Sequence, residues 1–459
     1  MSVLDSDIAA IVDDPVLRQG VRAVDLVEAF LARIRRIQPD LNALVSITER
    51  HALQDAERID GARAVRKPLP LDGMPLVIKD NIDVGGCITT NGSHAFGDGV
   101  ARSDAEVVSR LRAAGAILLG KAHLHELAFG VSSDSARGRC INPWDKDRIP
   151  GGSSSGSGVA LAADLCVGAL GTDTGGSVRI PSAANGVVGL RPTVGAISTR
   201  GTFPVSQTFD TIGPMARSVR DVEQMFNVMM EYDPLDPWSR RSIVESGFSR
   251  APRTTIGVPR EYFFDDVDPE IAAAIDRAVE QLVAFGMQVQ EIRIPDAREV
   301  CEGYPTMVCA EAFANYRHLL EKEAPFLEST VERLRRGATV SGADFSQATH
   351  LMMKWRRSIE EVFAAGVGVI LTPTLKMHPH RTIGYAEIRA IDEMTKTTRA
   401  WSFAQLPAIS IPCGFSKNGL PIGLQLTAPP WCEPVLFEIG KLFQAATTWH
   451  RRRPTLTLT

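Results

Sequence analysis

The sequence lacks any long apolar run. No stretch approaches the roughly 18 consecutive apolar residues that span a bilayer, so nothing in it points to a membrane protein. It also lacks closely spaced cysteines. The seven (Cys87, Cys140, Cys166, Cys301, Cys309, Cys413 and Cys432) are scattered and odd in number. That excludes a C-x-x-C redox or zinc-ribbon motif and argues against a disulfide framework. A large excess of one sign of charge is lacking as well, with 50 Lys and Arg against 54 Asp and Glu. A formal net charge of -4 gives no electrostatic reason to expect nucleic acid or an anionic membrane as partner. The short basic runs Arg356–Arg357 and Arg451–Arg453 read as solvated faces.

Several catalytic signatures are missing too. There is no H-E-x-x-H, no G-x-x-x-x-G-K-[ST] and no S-x-x-K. Two H-x-H pairs, His123/His125 and His378/His380, are weak metal signals without carboxylates at ligand spacing. They read as surface or hydrogen-bonding residues. The opening "MSVLDSDIAAIVDD" is acidic where a signal peptide is basic. The expectation is a reduced, cytoplasmic protein with no metal and no cofactor.

What is present is ordinary globular material: 459 residues, 44% apolar and 23% charged. A chain of this length buries a large core without staples. "DLVEAFLARIRRI" (Asp25–Ile37) has helical spacing, and a second helix covers Arg50–Arg63. "MPLVIKDNIDV" (Met74–Val84) reads as a buried strand that turns polar at Lys79–Asp80. "SDAE" (Ser103–Glu106) is a capping-box pattern opening a helix to about Ala114, and the strand "AILLG" (Ala116–Gly120) follows. Strand, helix, strand implies a parallel crossover. Residues 297–365 read as helical. "GVGVILTPT" is a buried strand, and "PAISIPCGF" and "LPIGLQLTA" form a hairpin across "SKNG". A helix from about Glu433 to Thr447 closes the chain. Without a repeat or a true linker, one large α/β domain is expected.

The stretch "GGSSSGSG" (Gly151–Gly158) imitates a flexible linker. Twelve of the 38 glycines fall within 151–201, but they alternate there with small apolar runs that a linker would not contain. Gly152–Gly156 also matches G-x-S-x-G, which would make Ser154 a nucleophile on a strand-to-helix elbow. The preceding "NPWDKDRIP" offers no strand to hold that elbow. The next glycine cluster, "LGTDTGGSVRIPSAANG" (Leu170–Gly186), is better placed. An apolar run ends in Gly171, and Pro181 reads as the first residue of a helix. Ser177 then stands near a helix N-terminus beside the backbone N–H groups of Thr174, Gly175 and Gly176. This is the layout of a serine nucleophile with an oxyanion hole. No histidine or obvious acid accompanies it. The strand-end Lys79 is the candidate base, provided that burial neutralises it.

These pieces resemble the amidase signature family. The resemblance is carried by "GMPLVIKDNIDVGG" (Gly73–Gly86), "HELAFG" (His125–Gly130), "NPWDKDRIPGGSSSGSG" (Asn142–Gly158), "GTDTGGSVRIPSAANGVVGLRPTVG" (Gly171–Gly195) and "PAISIPCGFSKNGLPIGLQL" (Pro407–Leu426), in the family's order. It implies one amidase domain over 1–459: a helical N-terminal part at about 1–65, a signature core at about 70–220 and a more variable helical pocket region at about 297–365. The implied fold is a mixed, twisted β-sheet covered by helices on both faces. The implied catalytic centre is a Ser–Ser–Lys triad: Ser177 as nucleophile, Ser153 after a cis peptide bond as the bridging serine, and Lys79 as base. N–H groups from Thr174 to Ser177 would hold the oxyanion. Ser154 or Ser155 would support the site by hydrogen bonds, and Asp173 and Arg179 would form a structural pair beside the nucleophile.

The implied activity is hydrolysis of a small-molecule carboxylic amide through an acyl-enzyme, with a homodimer as one possible assembly. Within the family, "VSSDSARGRCI" and "GGSSSGSG" look more like free-standing amidases than like the glutaminase-type subunits of tRNA-dependent amidotransferases. Such a glutaminase-type subunit is the alternative, and a non-catalytic member is disfavoured by the presence of all three triad residues. The pocket is expected from 125–145, 297–365 and 376–405, with "EGYPTMVCAEAFANY" offering aromatic and apolar groups for an aryl or alkyl amide.

Overall fold

The computed structural model describes residues 13–63, 65–97, 99–242, 255–383 and 386–456. Residues 1–12, most of the acidic opening, lie outside them. Eleven strands form one sheet: β1 (Leu44–Ile47), β2 (Pro75–Lys79), β3 (Ile117–Ala122), β4 (Gly168–Asp173), β5 (Val188–Arg191), β6 (Thr211–Ala216), β7 (Thr255–Pro259), β8 (Gln288–Ile292), β9 (Val369–Pro373), β10 (Ala408–Phe415) and β11 (Pro421–Thr427). Their order is β1-β3-β2-β4-β6-β5-β10-β11-β9-β7-β8. The sheet is mixed. β2 runs parallel to β3 and β4, and β7 runs parallel to β8 and β9. The remaining pairs are antiparallel.

The central strands follow from their composition. β2 reads "PLVIK" and β4 reads "GALGTD", and every residue of both is buried. Near-continuous apolar or small residues suit strands covered on both faces. The crossover from β2 to β3 passes through the helix Glu106–Ala113. That helix starts later than "SDAE" predicts. Its N-cap is Ala105, with no side-chain cap. The two groups of Glu106 that the box would use are engaged elsewhere: its N–H donates to the Arg200 carbonyl at 3.2 Å, and its carboxylate accepts from Arg110 Nε at 2.8 Å and from Arg200.

Two large apolar clusters fill the interior. One lines the sheet and joins the helix Ala23–Leu41 to β2, β3 and β4. The second lies around Trp355, Trp401 and Phe403. There the helices Ala297–Leu320, Glu328–Ala338, Gly342–Ala364 and Glu387–Phe403 come together. Among the described residues no helix is long and apolar enough to cross a membrane.

The glycine–serine block is buried core. Ser155–Ala162 is a helix whose eight residues are all buried. Its glycines allow close backbone approach rather than flexibility. A Cβ on Gly152 would lie 2.1 Å from the Ser132 carbonyl oxygen, and one on Gly156 would lie 2.2 Å from that of Ala43. The second glycine cluster leads into the helix Arg179–Asn185. Pro181 is its third residue, not its first as expected. The start is drawn back because Asp173 Oδ2 accepts the N–H of Val178, the N-cap residue, at 3.2 Å.

Candidate active site

Lys79 is the last residue of β2, and Thr172 and Asp173 end β4. The two strands are parallel neighbours, with Ile78 opposite Leu170. Their carboxyl ends therefore emerge side by side, the usual place for a site in an open α/β sheet. The Gly152–Ser153 peptide is cis, and Ser153 is buried beside this edge.

The structure joins Lys79 to Ser153. Lys79 Nζ donates to Ser153 Oγ at 2.8 Å and to Thr172 Oγ1 at 2.8 Å. Asn81 Nδ2 donates to the same Thr172 hydroxyl at 3.2 Å. Lys79 is fully buried and has no ion pair among the described residues. Its neighbour Lys121 on β3 has the carboxylate that Lys79 lacks, with Asp80 at 2.9 Å. Burial pulls the Lys79 pKa down to about 7, against the opposing influence of the Asp173 and Asp210 carboxylates. A lysine in this state is a usable base at neutral pH.

Ser177 lies on the turn between β4 and the helix Arg179–Asn185. Its carbonyl accepts the Ser154 N–H at 3.1 Å, so the turn bearing Ser177 is joined directly to the serine block. No hydrogen bond links the Ser177 hydroxyl to Ser153 in this conformation; Ser177 lines a cavity instead. Gly176, with φ at +136°, gives the turn its shape. The N–H groups of Gly175, Gly176 and Ser177 donate to no described protein group, as donors reserved for an oxyanion would.

The surrounding contacts are more specific than the sequence suggested. Ser154 Oγ bonds the N–H and carbonyl of Thr172, both at 3.3 Å. Ser155 does not share that role; its hydroxyl is buried without a partner. The Asp173–Arg179 pair is present, at 2.9 Å. Arg191, which sequence reasoning missed, brings a second guanidinium to Asp173 at 3.1 Å. Burial alone would raise the Asp173 pKa, but the two guanidiniums hold it well below the ordinary carboxylate range. Thr398 Oγ1 donates to the Gly175 carbonyl at 2.7 Å. Thr174 Oγ1 donates to Asp210 Oδ1 at 2.5 Å.

The cavity beside Ser177 draws its walls from Phe129, Tyr304, Pro305, Val308, Arg333 and Arg399, among others. It shares Pro305, Arg333, Ile391 and Arg399 with an outer cavity of about 430 Å³. The Arg333 guanidinium carbon lies 3.4 Å from the centre of the Phe129 ring, and Arg333 donates to the Phe129 carbonyl. No carboxylate pairs with Arg333 among the described residues, whereas Arg399 pairs with Asp392 at 2.7 Å. Another cavity, of about 270 Å³, is lined by Asn81, Thr172 and Asp210 and shares Val205 with the one beside Ser177.

The histidine pairs lie apart from this chemistry. His123 and His125 are buried rather than on the surface, bonded to Ser135 and Ser132. Contrary to the reading that no carboxylate accompanies the other pair, His378 comes within 4.8 Å of Asp268 and Glu270. Both acids have other work. Asp268 caps the helix Pro269–Ala284, and Glu270 accepts the Lys417 N–H.

The sequence profile of the Amidase family matches residues 25–437. One component of the glutamyl-tRNA(Gln) amidotransferase from Syntrophobacter fumaroxidans is 34% identical over 475 residues, covering 96% of this chain and 97% of that protein. A solved structure from a vestigial protein complex that bears on the origins of an s-triazine catabolic enzyme superposes with a TM-score of 0.86. It is 30% identical and covers 96% of this chain and 98% of its own. The peptide amidase from Stenotrophomonas maltophilia superposes with a TM-score of 0.81, at 29% identity, covering 99% and 97%.

Proposed function

This chain belongs to the Amidase family, and on that premise we propose that it hydrolyses a carboxamide whose acyl part carries a carboxylate, through an acyl-enzyme on Ser177. The observation that carries the reading is Lys79: buried, without an acidic partner, and bonded to the Ser153 hydroxyl. Neutral Lys79 draws a proton from Ser153, and Ser153 draws one from Ser177. The Ser177 oxygen then attacks the amide carbon. The N–H groups of the Thr174–Ser177 turn hold the oxyanion. The proton returns by the same path to the leaving nitrogen, the C–N bond breaks, and ammonia or an amine departs. Water releases the acid from Ser177 by the reverse relay.

Arg333 supports the carboxylate. It is a cation at the cavity wall with no ion-pair partner among the described residues. The guanidinium is half-buried and its hydrogen-bond partner is the neutral Phe129 carbonyl, which leaves its charge for an anion to meet, and a planar fork suits a carboxylate. This favours an acid amide over the plain aryl or alkyl amide expected from the aromatic residues alone.

A second reading differs in setting rather than chemistry. The relative at 34% identity is part of an amidotransferase, which favours a glutamine-hydrolysing component that works within a complex. It outweighs the two short segments that point to a free-standing amidase. Glutamine satisfies both readings, being a primary carboxamide that carries a carboxylate. The test is ammonia release from glutamine, other ω-amides of dicarboxylic acids and uncharged amides. The chain would be purified alone and after pull-down from its native host. Turnover confined to uncharged amides contradicts the carboxylate reading. Turnover of acid amides by the isolated chain contradicts the obligate-complex reading.

A further inference from the structure

The turn that carries the oxyanion donors needs a rigid support. It is short, glycine-rich and bonded to its surroundings by few side chains. The Arg191 guanidinium donates to the Thr174 carbonyl at 3.4 Å and the Ser154 N–H to the Ser177 carbonyl at 3.1 Å, and two hydroxyl contacts add to these. One is Thr398, on the helix Glu387–Phe403, which donates to the Gly175 carbonyl at 2.7 Å. The other is the turn's own Thr174 hydroxyl, which reaches Asp210. Asp210 immediately precedes β6, whose pairing with β4 sets Thr211 opposite Asp173.

Asp210 is itself held from several directions. Its Oδ2 accepts the N–H groups of Val205 and Ser206 at 2.7 and 2.9 Å. Its own N–H donates to the Ser206 carbonyl at 2.8 Å. The 204–208 loop is in turn fastened to the helix Ala297–Leu320. Glu311 accepts from the Ser206 and Thr208 hydroxyls. Asn315 donates to the Val205 carbonyl at 3.1 Å, and the Tyr316 hydroxyl donates to that of Pro204 at 2.6 Å. The same helix contributes Tyr304, Pro305 and Val308 to the cavity beside Ser177. One carboxylate thus connects the oxyanion turn to a loop fixed on the pocket helix.

We propose that Asp210 is a positioning residue for amide hydrolysis: through Thr174 it fixes the oxyanion turn against the 204–208 loop, in register with the pocket. Its hydrogen bonds go to Thr174, Val205 and Ser206 and not to Lys79, Ser153 or Ser177. The proposal rests on the reading of Ser177 as nucleophile. Oxyanion donors act through preorganisation, so loosening their support raises the barrier without loosening substrate.

The test uses two variants that break the same bond from opposite ends, Asp210→Ala and Thr174→Val, and one that keeps it. In Asp210→Asn the side-chain oxygen still accepts from Val205 and Ser206, and the amide nitrogen donates to Thr174. The first two variants are expected to lower kcat by on the order of 10- to 100-fold with KM nearly unchanged. Asp210→Asn recovers most of that loss. If Asp210→Ala fails to fold, judged by thermal melting, Thr174→Val decides the matter. It removes the bond while leaving the loop's carboxylate in place. An unchanged kcat in Thr174→Val overturns the proposal, as does an effect confined to KM. Ser177→Ala run alongside separates the two layers. If it retains activity, the nucleophile assignment fails, and the positioning claim fails with it. If it is dead while Thr174→Val is normal, only the positioning claim fails.

Discussion

Lys79 reaches Ser153 across 2.8 Å from a position sealed against solvent, and among the described residues no carboxylate lies at ion-pair distance from it. That combination gives the amine a pKa of about 7. A group poised there can take and return a proton at neutral pH, which an exposed lysine cannot.

The pH dependence follows directly. The base must be unprotonated to begin the reaction, so kcat/KM rises as pH rises through about 7 and levels off above it. The limb is read from initial rates across a pH series. A limb near the ordinary lysine value, or activity already maximal at pH 5, contradicts the assignment.

Stability shows the same lysine from the other side. Its pKa is lower folded than unfolded, where the value is 10.5, so unfolding takes up a proton between those limits. Wild-type stability therefore rises with pH through that window. Lys79→Met, inactive, removes the dependence. Its melting-temperature advantage is constant below pH 7 and shrinks as pH climbs towards 10.5. A gap that is flat across the window shows that Lys79 is charged in the folded state.

Thr172→Val tests the second partner of Lys79. It removes a hydroxyl that accepts from Nζ. Loss of an acceptor disfavours the ammonium, so the acid limb of the rate profile moves to lower pH. The amine is also held by one bond instead of two, and kcat falls about tenfold. A limb displaced to higher pH argues against this picture.

Arg333→Met tests specificity. KM for an acid amide rises, and turnover of an uncharged amide of similar size is maintained. Equal losses on both substrates, measured as kcat/KM, would show that Arg333 only supports Phe129.

Two glycines separate close packing from chain freedom. Gly156→Ala places a methyl 2.2 Å from the Ala43 carbonyl oxygen, and it destabilises by about 3 kcal/mol or more. Gly61→Ala, within the helix Glu49–Arg63 and with nothing inside 4 Å, stabilises by about 0.5–1 kcal/mol. Denaturant unfolding measures both.

The parts of this architecture written in local pattern were readable. The apolar run that ends at Lys79, the hairpin across "SKNG" and the turn at Ser177 each carry their signal within a dozen residues. Other features have no local signature. Lys79 and Thr172 are 93 residues apart, and Thr174 and Asp210 are 36 apart. Their meeting depends on strand order. The three serines at 153–155 are equivalent in composition. Only tertiary contacts distinguish them: Ser153 bonds Lys79, Ser154 bonds the Thr172 backbone, and the buried Ser155 hydroxyl has no hydrogen-bond partner among the described residues. The capping pattern at Ser103 misled because Glu106 is engaged elsewhere, its N–H by the Arg200 carbonyl and its carboxylate by Arg110 and Arg200. Arg333 escaped notice because a charged residue on an amphipathic helix ordinarily faces solvent.

The central claim is that Ser177, and no other serine, carries the acyl group. Labelling with a fluorophosphonate followed by peptide mass spectrometry tests it most directly. The adduct is expected on Ser177 in the wild type and is absent after Ser177→Ala. It forms far more slowly after Lys79→Met. An adduct on Ser154, or on Ser153 with Ser177 unmodified, contradicts the account.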